Sequence, residues 1–481
     1  MEKDQQSEKG LLIFYYKIGE KGLTNSEKNA AKPFDAKTRR EHGEMDKYPY
    51  KVMEKLDAIL KETDDVAWLF SRTPEKDFTR HRKLPFHRLS KILIGMEGNS
   101  LSHEMLNCFH FSRDTPTVSA LVQQRTKLLP EAMAFVFSEL VKAFPCRKTL
   151  DGYRLIACDG SDLHYAANPM ETDNFFQIDD HARGYNLLHL NVLYDVCSRR
   201  YTDAIVQPGR CADEVGAFVA MIDRFSADEK VIFTADRGYE SYNVMAHIVE
   251  KGMRFLIRVK NPRSSGVLCK LRLPESVAFD MPFLIELTKK QTNAVKANPD
   301  LYRFVPKTSR FDFCDLHHAH FYPLDFRVVA VEISPGCFEY LITNLGASLF
   351  PPAKLKELYR MRWGVETSFR DLKYTIGLSS FHSKRAEFIS QEVFARLILY
   401  NLCELVASHA ALLKSSNSYV YQLNFSAAVH IFRHALFLAA DESPPDVVAL
   451  IRSFFLPVRP YRSDPRKIKY RSAVPFLYRI A

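Results

Sequence analysis

Apolar and polar positions keep a regular rhythm from Met45 onward, and the rhythm changes along the chain. Val52, Leu56, Ile59 and Leu60 stand at helical spacings. The stretches 84–96 and 118–144 repeat apolar residues at three- and four-residue steps, so residues 46–150 read as helical. At about residue 151 the pattern shortens. Residues 153–158 form an apolar run that ends in Asp159-Gly160-Ser161. Runs 187–196 and 201–207 read as a hairpin, 212–225 as a helix, and 230–235 as a buried strand ending in Asp236. A helix through 245–249 and a strand over 254–259 follow. That order predicts a mixed α/β sheet with both aspartates at the carboxyl ends of strands, where such sheets place ligands.

Residues 261–352 alternate short strand-like pieces (283–287, 326–333, 338–343) with prolines and charges, and read as a β-rich insertion. One long helix is predicted from about 352 to 376, opened by Pro351-Pro352 and stopped by Gly377, with more helix over 390–412. Residues 1–45 are rich in Lys, Glu, Asn and Gln with little periodicity, which predicts a disordered leader and translation starting at Met45. The segments are therefore 1–45, 46–150, 151–260, 261–352, 353–412 and 413–481.

Composition narrows the function classes. The 481 residues are 46% hydrophobic and 26% charged, as in globular proteins, and the net charge of +10 favours an anionic partner, nucleic acid first. Basic residues punctuate the helical region (Arg80, Arg82, Lys83, Arg88, Lys91, Arg125, Lys127) and fill the tail (Arg459, Arg462, Arg466, Lys467, Lys469, Arg471, Arg479). The helical set reads either as solvated faces or as a DNA-binding domain. The nine cysteines are scattered without a CxxC pair, which reads as reduced cytoplasmic thiols. No apolar run approaches the roughly 20 residues of a membrane span. Cys314, His317, His318 and His320 lack a second ligand pair at zinc spacing, so a solvated loop is expected there.

The most informative piece runs from Tyr359 to Lys373. Placed on one helix, Tyr359, Arg362, Glu366, Arg370 and Lys373 project within about 80° of arc. Trp363 borders that face at about 40°. A carboxylate set among cations suits a metal that also meets phosphate. An exposed face laced with ion pairs such as Arg362–Glu366 is the plainer alternative.

Tyr359-x2-Arg362-x3-Glu366-x6-Lys373 resembles the signature of the insertion-sequence-four family of bacterial DDE transposases. Asp159-Gly160-Ser161 and Asp236-Arg237-Gly238-Tyr239 resemble that family's two aspartate motifs, in the same order. The resemblance runs from roughly residue 80 to the C-terminus. It implies an RNase H-like α/β catalytic domain split by a β-rich insertion and flanked by helical regions. It further implies that Asp159, Asp236 and Glu366 hold two Mg²⁺ ions, with Mn²⁺ able to substitute, and that Tyr359, Arg362 and Lys373 contact phosphates near the cleaved end. Arg370 joins them from the helical projection, and Trp363 is a further candidate for DNA contact. The implied partners are double-stranded terminal repeats and target DNA, and a second copy of the chain in a synaptic complex. The implied setting is the bacterial cytoplasm at the nucleoid, with no membrane. A flipped base would stack on an aromatic of the insertion, which has no Trp; Phe311, Phe313, Phe321 and Tyr322 are the candidates. A related nuclease or resolvase, or a transposase-derived DNA-binding protein that has lost catalysis, are the alternatives.

Overall fold

The computed structural model describes residues 45–457 except 81, 178, 180, 182–183, 227–228, 263, 265, 270, 275–277, 315–320, 413–420 and 439–441. The leader, the basic tail and the three histidines at 317, 318 and 320 lie outside the described residues.

Five helices come first: α1 (Tyr48–Asp65), α2 (Phe86–Gly95), α3 (Leu101–Cys108), α4 (Val118–Lys127) and α5 (Glu131–Ala143). The apolar stretch 118–144 is thus two helices, because Pro130 removes a backbone donor at their junction. Thr117 caps α4 by accepting from the Ala120 N–H.

The sheet follows. Its strands are β1 (Arg154–Tyr165), the short β2 (Phe175–Phe176), β3 (Tyr185–Asp195) and β4 (Arg200–Pro208). After helix α6 (Glu214–Arg224) come β5 (Val231–Ala235), α7 (Tyr242–Glu250) and β6 (Arg254–Val259). β1 pairs antiparallel with β3 and parallel with β5, β5 pairs parallel with β6, and β4 lies outside β3. The order β4-β3-β1-β5-β6, with one antiparallel hairpin and parallel strands beyond it, is the RNase H-like arrangement.

β7 (Phe279–Thr288), α8 (Asn293–Ala297), β8 (Tyr302–Phe304), β9 (Tyr322–Ser334) and β10 (Cys337–Thr343) then extend this sheet to ten strands. The β-rich segment is joined to the core through β10, which pairs with β6 from Tyr340↔Val259 to Thr343↔Leu256. The last elements are α9 (Pro352–Met361), α10 (Trp363–Arg370), α11 (Ala386–Leu412), the two-residue strand β11 (Tyr421–Gln422), α12 (Phe425–Leu436), α13 (Val447–Ser453) and β12 (Leu456–Pro457).

The two faces of the sheet bury different partners, as alternation along a strand requires. Leu155 and Ala157 face a core shared with α1, α2, α5, α9, α10 and α11, whereas Ile156 and Cys158 face a core shared with α6 and α7. The helical N-terminal region is thereby part of the main core. Buried charges fix it there: Arg125 pairs with Glu392 at 2.9 Å and donates to the Gln391 side chain at 2.8 Å. Arg125 is therefore spent on packing, which removes it from the basic set expected on solvated or DNA-facing surfaces. Arg80, Arg82, Lys83 and Arg88 are exposed.

Among the described residues, one helix, residues 386–411, has the length and apolarity of a membrane span; 83% of its apolar window is buried inside the protein, where it forms the central core helix.

Candidate active site

Asp159 is in the middle of β1, not at its end. The strand continues because β3 pairs with it as far as Tyr165, while its parallel pairing with β5 stops at Ala157. Asp159 therefore sits where the parallel sheet opens. Its alternation with Ala157 turns it toward the core that contains α10, which packs against β1. Asp236 directly follows β5, as expected, and caps the short 3₁₀ turn Arg237–Tyr239 by accepting from the Gly238 N–H at 2.7 Å.

The predicted long helix is broken. α9 and α10 meet at Arg362, and a π-helical turn over Asp371–Thr375 follows, closed by the Ile376 N–H on the Asp371 carbonyl at 2.9 Å. The wider turn breaks the straight 100° projection after Arg370. Gly377, at φ 94°, ends the segment as expected. Only part of the projected face survives. Tyr359 and Arg362 are buried, Glu366 is 33% exposed at its side chain, Trp363 is half-buried, and Arg370 is exposed. The Arg362–Glu366 ion pair expected of an exposed face is present, but Tyr359 and Arg362 are buried rather than solvated. Lys373 donates to the Asp162 carbonyl at 3.1 Å and so joins the edge of the site.

Arg362 links the carboxylates. Its Nη2 donates to Glu366 Oε1 at 2.5 Å, and its Nη1 lies 3.9 Å from Asp159 Oδ2. Burial pushes the Asp159 carboxyl up to about 7; Arg362 and the Gly160 N–H pull it down, and Glu366 and Asp236 add to the rise. The three acids thus share one electrostatic field. Burial also pushes the Tyr359 phenol up to about 12, against Arg362 and Arg258.

Arg258, on β6, was not legible as a site residue. It pairs with Glu339 at 2.9 Å and lies 6.0 Å from the Tyr359 ring centroid. His189 was also missed. It stands opposite Asp162 in the β1–β3 register, 2.7 Å from its Oδ1, and 3.1 Å from Glu214 Oε1. Burial opposes its charge, but Asp162 and Glu214 more than offset this and lift it to about 9. Neither residue sits in a local motif, so only strand register could have found them.

Two buried polar atoms, Tyr359 Oη and Arg362 Nε, have no hydrogen-bond partner. Buried polar groups are normally satisfied, so an unfilled pair beside three carboxylates suits an external ligand with acceptor oxygens. Among the described residues, no three His, Cys, Asp or Glu side chains gather at the spacing of a single ion. Asp371 is half-buried beyond the helix break, and Asp223 pairs with His247 at 2.9 Å.

Of the aromatic candidates in the β-rich segment, Phe311 and Tyr322 are buried together, and Phe313 packs against both. Phe321 is exposed and packs beside Tyr302, with ring centroids 5.1 Å apart.

The family model of the transposase DDE domain matches residues 151–402. The transposase InsG for insertion sequence element IS4 of Escherichia coli (strain K12) is 30% identical over 146 residues, which is 27% of this chain and 32% of that protein. The chain thus spans about a third of the length of that relative. A solved piggyBac transposase synaptic complex with hairpin DNA has a TM-score of 0.38 and 11% identity, with 88% of this chain and 87% of that one covered.

Proposed function

Since the chain belongs to the transposase DDE-domain family, we propose that it is an insertion-sequence transposase that cuts DNA at terminal inverted repeats and joins the 3′-hydroxyl ends to target DNA. It acts on double-stranded DNA and pairs two ends as a homodimer. The observation that carries this reading is the buried Arg362, which donates to Glu366 and faces Asp159, with Asp236 close enough to add to the rise of the Asp159 carboxyl.

The residues present suit divalent cations. Asp159 is pushed toward its protonated form by burial and by two neighbouring acids, and a cation relieves both. Asp159, Asp236 and Glu366 would hold Mg²⁺, whose preferred ligands are carboxylates, waters and substrate oxygens. A pair of ions does not require three ligands around one point, and would supply activation of the attacking oxygen and stabilisation of the leaving one.

The chain's own groups do the rest. Tyr359 Oη and Arg362 Nε, both unpartnered, offer donors to a backbone phosphate from inside the site. Lys373 adds a cation at the rim. Arg362 holds Glu366 toward Asp159 until substrate arrives. Arg370 and Trp363 extend the contact along the same helix. Exposed Phe321 is the stacking candidate for a flipped base, since its three rivals pack into the interior.

The test is cleavage and strand transfer on a plasmid that carries the element's flanking repeats, with wild type beside Glu366→Gln. Excision and joining by wild type, lost in the variant while repeat binding persists, would establish the reading. Cutting without joining would favour a nuclease or resolvase. Binding without cutting by wild type would favour a protein that has lost catalysis.

A further inference from the structure

The loop between α3 and α4 presents a large apolar side chain that local structure does not explain. α3 ends in a left-handed cap: the His110 N–H donates to the Asn107 carbonyl at 3.3 Å, and the Phe111 N–H to the Leu106 carbonyl at 2.9 Å. Such a cap needs one left-handed residue, and glycine is the usual choice because a Cβ is crowded there. Here two successive residues are left-handed, His110 at φ 52° and Phe111 at φ 55°. A bulky residue in that region is strained, and it persists only where its surroundings hold it.

The surroundings do hold it. The Ser112 N–H donates to the Phe109 carbonyl at 3.0 Å, the Thr115 N–H to the Ser112 carbonyl at 3.1 Å, and the Asp114 N–H to Ser112 Oγ at 3.1 Å. Lys83, just before α2, donates to the Asp114 carbonyl and carboxylate, each at 3.0 Å. This strain does not serve burial. Phe111 is 67% exposed, and Leu106, on which a side chain at this place in the cap would ordinarily pack, is itself 37% exposed.

Cations sit at the base of the ring. Arg88 donates to the Lys83 carbonyl at 3.4 Å, and its guanidinium lies 4.1 Å from the centroid of the Phe109 ring. Arg113 follows Phe111 by two positions, and Lys83, Arg88 and Arg113 are all exposed. Asp114, the only acid between residues 109 and 117, is paired with Lys83. A rigid loop that holds one phenyl ring out in water above cations suits a DNA duplex: an apolar side chain can enter between base steps while cations hold the phosphates on either side. A membrane surface would call instead for the apolar face of a whole helix.

We propose that Phe111 is a wedge that enters the base stack of a DNA duplex on the helical N-terminal region and kinks it, with Lys83, Arg88 and Arg113 on the flanking phosphates. This rests on the reading of the chain as a protein that acts on double-stranded DNA.

The full-length protein, in chelator so that no strand is cut, is mixed with a duplex of the element's terminal repeat. The duplex carries 2-aminopurine at one step after another and a donor–acceptor dye pair at its ends. Wild type should raise the fluorescence at a step and shorten the end-to-end distance, as a kink of roughly 20–90° requires. Phe111→Ala should lose that kink and that unstacking, and bind the repeat roughly fivefold or more weakly. Arg113→Gln should keep the unstacking and lower the salt dependence of binding by about one phosphate contact. Phe111→Gly should behave as Phe111→Ala and melt no lower than wild type, because relief of the left-handed backbone offsets the extra freedom of the unfolded chain. Circular dichroism checks folding, and Phe111→Gly decides if Phe111→Ala does not fold. Unchanged kinking and unstacking in a folded Phe111 variant would overturn the wedge and leave DNA binding standing. Failure of wild type to bind the repeat would remove the DNA reading, and the wedge with it. Unchanged kinking together with loss of binding to phosphatidylglycerol vesicles, or with loss of a dimer in sedimentation without DNA, would refute the wedge and give the ring to a membrane or to a second copy of the chain.

Discussion

Arg362 donates to Glu366 one turn further on, at 2.5 Å, across the junction where α9 gives way to α10. The pair is not a surface i,i+4 contact, because Arg362 is only 5% exposed at its side chain and also faces Asp159. A guanidinium serves two acids from one rigid planar fork, a geometry that the compact ammonium of lysine does not reproduce. Arg362→Lys should therefore keep repeat binding within a few-fold and lose cleavage by at least about tenfold. Gel-shift and plasmid-cleavage assays on the same preparation check this. Full cleavage by the lysine variant would show that the fork is dispensable.

Gly160→Ala places a methyl 2.5 Å from His189 Nε2 and 3.2 Å from Glu214 Oε1. His189 is buried and tied to Asp162, so it cannot swing away freely. We expect a loss of roughly 1–3 kcal/mol in stability, the usual cost of overpacking. Urea denaturation measures it, and an unchanged midpoint would mean that the histidine relocates without cost.

Asp159 gives a pH signature in metal-free protein. Its folded carboxyl titrates near 7, above the model-peptide 3.8, so between these values the folded state binds more protons than the unfolded one. Its contribution to stability is therefore greatest below about pH 4 and is lost as pH rises through 7. Asp159→Asn removes this loss. The variant should exceed wild type by roughly 2 kcal/mol at pH 8, a figure discounted for the carboxylate's partial exposure. Thermal melts in chelator at pH 5 and pH 8 test the sign, and a gap that does not widen with pH would contradict it.

Glu392, on α11, is buried between Arg125 at 2.9 Å and His382 at 3.0 Å. Burial works against its charge, yet Arg125 and His382 hold its carboxyl well below the usual range. Glu392→Ala leaves the Arg125 charge buried without its acid, which typically costs about 3–5 kcal/mol. The double variant Arg125→Met with Glu392→Leu should recover most of this, since an apolar pair of similar volume is often neutral. Calorimetry of the three proteins is the check; equal destabilisation in single and double variants would mean that packing, not charge, is what fails.

Much of this protein is determined by its sequence alone. Apolar alternation and helical periodicity are local, so they located the β3–β4 hairpin, β5, β6 and the helices around them within a few residues. Asp159, Asp236 and Glu366 were legible as candidates because their motifs are short and occur in order. What spans long separations was decided by tertiary structure. Asp159 lies mid-strand because β3 continues to pair beyond the point where β5 stops. Arg125 left the candidate DNA-facing set because an acid 267 positions away lies against it in the core. The projected helix face divided because a junction and a π-turn interrupt a run that its periodicity makes continuous. Glu214 came to Gly160 and Gly238 only through the register of three strands and the packing of α6. Periodicity reports which side of an element is buried; which other element it meets there depends on pairing and packing energies that no local pattern encodes.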